Sequence, residues 1–177
     1  MLIAVRTPIG ATPLAALAII AAASTAEASP FCDAQQKAAA GAATGFVAVR
    51  GAAVAAAGTR SGEVYRTRVG LPDATGCSVT VPRGRGRGPA VYACSFSGGL
   101  DVGRAMGRLV RRSARCAQVR VGNPPRLKTG PDGPSFYFHS GLARFDFSAE
   151  RVPGKPGLWT VVLAISRGPN QPRRPFA

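Results

Sequence analysis

Arg104, Arg108, Arg111 and Arg115 recur at steps of four, three and four residues, the spacing that sets side chains along one face of an α-helix. Guanidinium groups in such a row suit bidentate contact with phosphate or carboxylate oxygens. No Asp or Glu is interleaved among them, and like charges at helical neighbour spacing cost about 0.2–0.5 kcal/mol per pair. The row predicts an anion-binding face, with Arg112 at its margin. The competing reading is a solvated face filled with the cation this sequence favours.

A second basic feature is the segment Pro82-Arg83-Gly84-Arg85-Gly86-Arg87-Gly88-Pro89. Arg83, Arg85 and Arg87 would extend an anion-binding surface as flexible Arg-Gly segments do, although one short copy without aromatics also suits a plain solvated loop. The glycines alternate and open no helix, so they form no phosphate-binding loop.

Enzyme chemistry finds little support. The acids after residue 28 are Asp33, Glu63, Asp73, Asp101, Asp132, Asp146 and Glu150, and no two are placed by spacing as a general acid and base. His139, beside Tyr137, is a single imidazole without an accompanying serine motif. The expectation is a non-enzymatic protein with no catalytic residues and no cofactor; a small hydrolase using His139 is a distant third reading. No metal site is expected either, because no C-x-x-C pair exists and His139 is far in sequence from every cysteine.

The four cysteines, Cys32, Cys77, Cys94 and Cys116, read instead as two disulfides. Their compartment is suggested by the start of the chain. Arg6 precedes an apolar run from Leu14 to Ala23, and Ala26-Glu27-Ala28 matches the pattern signal peptidase cuts after. The run is about half the ~20 residues that span a bilayer. Residues 1–28 are expected to be a cleaved secretory signal, and the remainder a periplasmic or secreted protein. The part after Ala28 keeps all but one of the 23 Lys and Arg and all but one of the 8 Asp and Glu. That charge favours anionic partners: an anionic polymer, a lipid head group or an acidic protein. Since all but three of the cations are arginine, amid abundant Ala, Gly and Pro, compositional bias is an equal source for it.

The elements that must position these residues follow from periodicity. The Ala-rich stretch from Asp33 to about Ala57 predicts a long first helix. Tyr65, Thr67, Val69 and Leu71 alternate with Arg66 and Arg68 as in a half-buried strand. Cys77 and Cys94 are equidistant from the centre of the Arg-Gly loop, so a hairpin folded there sets them opposite each other. Cys32 then pairs with Cys116 by elimination, with the other connectivities left open since four cysteines allow three. Asp101 is a plausible N-cap for the second helix, with Val102, Met106, Leu109, Ser113 and Cys116 on its apolar side. Gly141-Leu142 suits a type II′ turn that opposes Phe138 to Phe145 and Phe136 to Phe147. Trp159, Val161, Leu163 and Ile165 alternate in a last strand.

The order predicts an α+β fold, α-βββ-α-βββ: an antiparallel sheet of about five to six strands with two helices on one face and two disulfides. Residues 29–167 would be a single domain and 168–177 a flexible tail. The order is similar to that of small secretion-chaperone domains, a likeness of fold from which no residue role is carried over. Two functions lead: an exported basic module binding an anionic envelope component or polymer through the Arg face, and a periplasmic structural or protein-interaction domain with no anion site.

Overall fold

A computed structural model describes residues 29–54, 62–84, 88–122, 125–130 and 133–168. The predicted signal segment 1–28, Arg85 and Arg87, and the tail beyond Gly168 lie outside these residues. Helix α1 (Pro30–Gly41) is followed by a 3-10 turn (Ala42–Thr44) and by β1 (Arg50–Ala53), β2 (Gly62–Thr67), β3 (Gly76–Pro82) and β4 (Val91–Gly99). Helix α2 (Val102–Cys116) then leads to β5 (Lys128–Gly130), β6 (Gly133–Ser140), β7 (Ala143–Arg151) and β8 (Trp159–Arg167). The eight strands form one antiparallel sheet in the order β1-β2-β3-β4-β8-β7-β6-β5.

The α+β class and both disulfides are as expected, but the sheet has eight strands rather than five or six. The two additional strands, β1 and β5, are its two edges. With them the order becomes helix, four strands, helix, four strands. Each half is a helix followed by a meander that runs inward from the edge, and the two meanders meet where β4 pairs with β8. The layout is a topological two-fold about that central pair.

The predicted long first helix is also corrected. It ends at Gly41, where a Cβ would come within 3.0 Å of the Phe46 ring. Gly45 and Phe46 then take φ values of +65° and +63°, which reverses the chain. A left-handed conformation costs a non-glycine residue about 1–2 kcal/mol, whereas burying a phenylalanine yields about 1.5–3 kcal/mol. Phe46 is fully buried with its ring 6.1 Å from Tyr92, so burial wins over the local helix propensity. The chain beyond it is free to pair as β1 with β2.

Strand β2 stops at Thr67, short of Val69 and Leu71. The Thr67 hydroxyl accepts from the Val69 amide at 3.0 Å, and its single proton is shared between the Val69 and Val49 carbonyls at 2.8 and 3.1 Å, a side-chain turn that competes with the ladder. Leu71 is nevertheless buried.

The core lies between the helices and one face of the sheet. Two rows of side chains cross that face. One runs Cys77, Cys94, Leu163, Phe147, Phe136; the other runs Tyr65, Val79, Tyr92, Ile165, Phe145, Phe138. The predicted β6–β7 pairs are both observed, and Gly141 carries the positive φ that a II′ turn needs at its first central residue. Tyr92 is fully buried, and its hydroxyl donates to the Val69 carbonyl at 2.8 Å, which satisfies its polar atom; burial pushes its phenol well above the usual tyrosine range.

Cys77 pairs with Cys94 within the β3–β4 hairpin, and Cys32 with Cys116 between the helices. The Gln35 side chain donates to the Ser113 carbonyl at 2.9 Å, one turn along each helix from the Cys32–Cys116 bond. The helices are therefore antiparallel neighbours.

Candidate anion-binding site

Helix α2 is built to hold its arginines outward. Asp101 caps it by accepting the Arg104 amide at 2.9 Å, as its type and position predict. Met106, Leu109, Val110, Ser113, Ala114 and Cys116 are buried against the sheet and α1. The opposite side carries Arg104, Arg108 and Arg115 exposed, with Arg111 partly covered. The Cys32–Cys116 bond pins the last turn, so these side chains project from a helix fixed at both ends.

Electrostatically, the four are unequal. Arg104 meets Asp101 at 3.1 Å, an exposed pair of small energetic weight. Among the described residues, Arg108, Arg111 and Arg115 have no carboxylate within 4.0 Å. Three adjacent cations thus share a helix surface without a paired carboxylate among the described residues.

Arg112 differs from this row. Its Nη1 lies 2.7 Å from Asp73 Oδ2, and its guanidinium stacks 4.0 Å above the Phe31 ring. Asp73 belongs to the β2–β3 loop and has a φ of +68°, a conformation that Asp tolerates better than most residues. One carboxylate and one aromatic face hold Arg112 flat against the domain, while most of its five N–H donors stay uncommitted. The exposed row and the docked arginine are two different kinds of cation.

Between them lies a groove of about 560 Å³. Its walls are Arg108, Arg111, Arg112, Arg115 and Asp73; its apolar floor is Phe96, Leu109, Ala105 and Val161. On the other flank of α2, Arg104 and Arg111 border a smaller hollow of about 300 Å³ against Pro125 and Leu127. The site residue that sequence reasoning missed is Asp73. Its only sequence signal is an acidic residue in a Pro-containing turn, and its partner is 39 positions away.

Arg83, the described arginine of the Arg-Gly segment, is not brought to this surface: it precedes β4, whereas α2 follows that strand. Arg83 instead lies 3.5 Å from Glu63, whose carboxylate accepts the Tyr65 hydroxyl at 2.5 Å. That hydrogen bond, helped by the Arg83 charge, holds Glu63 below its ordinary value of 4.5, and the same bond raises Tyr65 above 10.0.

His139 is half-buried on the helix-free face of the sheet. Its ring meets Tyr137 edge-on at 5.9 Å, and Arg144 stands opposite it in the β6–β7 register. Arg144 is bound by both oxygens of Asp146 at 2.7–2.9 Å. No nucleophile is hydrogen-bonded to the imidazole among the described residues. Among them there is also no group of three or more His, Cys, Asp or Glu able to hold a metal ion, and no helix long and apolar enough to cross a membrane.

Comparison with protein-family models, with curated proteins and with solved structures found no match to this chain.

Proposed function

We propose that this protein is an exported, disulfide-braced binding module whose α2 face engages an anionic component of the cell envelope. The observation that supports this reading is that, among the described residues, Arg108, Arg111 and Arg115 have no carboxylate within 4.0 Å, on a helix that is otherwise capped, cross-linked and packed. Such a row stores mutual repulsion that an anion relieves. The two disulfides fit an oxidising compartment.

Salt-dependent retention on immobilised heparin tests it. The parent is expected to elute at progressively lower salt as Arg104, Arg108, Arg111 and Arg115 are changed to Gln, and the quadruple variant to lose most of its retention. Equal retention of parent and quadruple variant would remove the helix face as the site and leave the alternative, a structural or protein-interaction domain whose basicity is compositional.

A further inference from the structure

We infer that the groove beside α2 seats an amphipathic organic anion, with one oxyacid head group and a compact apolar body. This rests on the anion-binding reading of α2 and names the ligand class for its inner flank. A polyanion meets a convex, solvated row of cations and needs no apolar surface. The α2 flank offers more than that row. Arg108, Arg112 and Arg115 stand along one wall, and the floor beneath them is made of Phe96, Leu109, Ala105 and Val161. Charged walls over an apolar floor match a ligand that carries both characters.

Arg112 is the pivot of the arrangement. Stacking on Phe31 and pairing with Asp73 fix its plane before any ligand arrives, so little rotamer entropy is lost when it binds an oxyanion. Arg108 and Arg115, four residues before and three after, flank it on the same helix and supply mobile donors. The cavity volume of about 560 Å³ falls within the range of small-molecule sites and suits a ligand of modest size, such as a medium-length acyl chain. Asp73 adds selectivity: a second negative charge placed near it meets repulsion, which favours one head group over a chain of them. A carboxylate and a phosphate monoester share the recognised chemistry.

Calorimetric titration of the oxidised chain tests the proposal with decanoate, decyl phosphate, decanol and inorganic phosphate, each below its aggregation concentration. Decanoate or decyl phosphate is expected to bind at least tenfold more tightly than decanol and inorganic phosphate, and the tighter of the two identifies the head group. Two variants place the apolar body. Ala105→Trp fills the floor, and Ser97→Trp, at an exposed residue that also lines the groove, crowds the rim. Each is expected to weaken binding of the preferred amphiphile at least tenfold while heparin retention stays at the parent level. If both variants bind it as the parent does, or if inorganic phosphate binds as tightly as decyl phosphate, the groove is not the seat. Either result leaves the outer helix face standing, whereas unaltered heparin retention in the quadruple Gln variant removes that face and with it the basis for the groove.

Discussion

The two halves of the molecule share a layout and differ in what they put on it. Each is a helix followed by a four-stranded meander, and equivalent positions can be followed across the central pair: Cys94 faces Leu163, and their outer neighbours are Cys77 and Phe147. One half fills that row with a disulfide and the other with a phenyl ring and a leucine. The helices differ more. Helix α1 carries only Asp33 and Lys37 as charges, while α2 carries five arginines and no acid. The layout therefore has no preference for a charged helix, and the arginines of α2 are a property of that half alone. This contrast weakens a purely compositional origin for the row, because α1 lies in the same chain and did not acquire one.

The comparison can be broken most forcefully at the bridges. Replacing Cys32 and Cys116 together by Ala opens a loop with a sequence separation of 84, and the chain-entropy model expects a loss of about 4.5 kcal/mol. Denaturant unfolding under non-reducing conditions reads it directly. Replacing Cys77 and Cys94 by Ala opens a separation of only 17, for an expected loss of about 3 kcal/mol. If the hairpin bridge costs more than the interhelical one, the first half depends on its local cross-link rather than on its attachment to α2.

A smaller effect separates the two kinds of arginine. Arg112→Gln is expected to destabilise by about 1 kcal/mol, since it loses a partly exposed ion pair and a stacked ring. Arg108→Gln is expected to change stability by about 0.5 kcal/mol or less, with relief of repulsion as the expected sign. Thermal unfolding of both variants checks the distinction; equal losses would mean that Arg112 is not docked.

The smallest effect concerns pH and the edge of the first half. The Tyr65–Glu63 hydrogen bond requires a protonated phenol and an ionised carboxylate. Glu63 is lowered in the folded state, so its contribution is present above 4.5 and is lost as the pH falls through its folded value. Tyr65 is raised, so its contribution is present below 10.0 and is lost as the pH rises through its folded value. NMR titration is expected to show Glu63 moving back toward its ordinary value in a Tyr65→Phe variant. An unchanged Glu63 titration in that variant would assign the shift to Arg83 and Arg50 alone.

Much of the fold was legible where a local signal and a tertiary demand agreed. The β3–β4 register followed from two cysteines equidistant from a Gly-rich loop, and the β6–β7 register from four phenylalanines around Gly141. The cap at Asp101 and the period of the arginines placed α2. The edges were not legible. The residues of β1 have the composition of the Ala-rich helix before them, and the reversal depends on Phe46 adopting a conformation its type disfavours in order to reach Tyr92. Lys128-Thr129-Gly130 is too short to show alternation, and β5 exists because β6 offers it a partner. The groove was only half legible for a related reason. Its arginines repeat along one helix, whereas Asp73, Phe96 and Val161 come together through the meander and leave no shared pattern along the chain.

The placement of the cross-links has a consequence for how the molecule can come apart. Both bridges lie within residues 32–116, so β5–β8 have no covalent tie to the rest beyond the chain itself. What holds these strands to the rest is the β4–β8 ladder and the shared core, and no disulfide opposes their separation. Their departure would uncover nine residues of β4, Val91–Gly99, as a bare edge with open backbone donors and acceptors. The complement to that edge is β8, and a second copy carries one. Oxidation thus ties α1, α2 and the first meander together and places no cross-link on the second meander, whose exposed complement is the geometry that strand exchange uses.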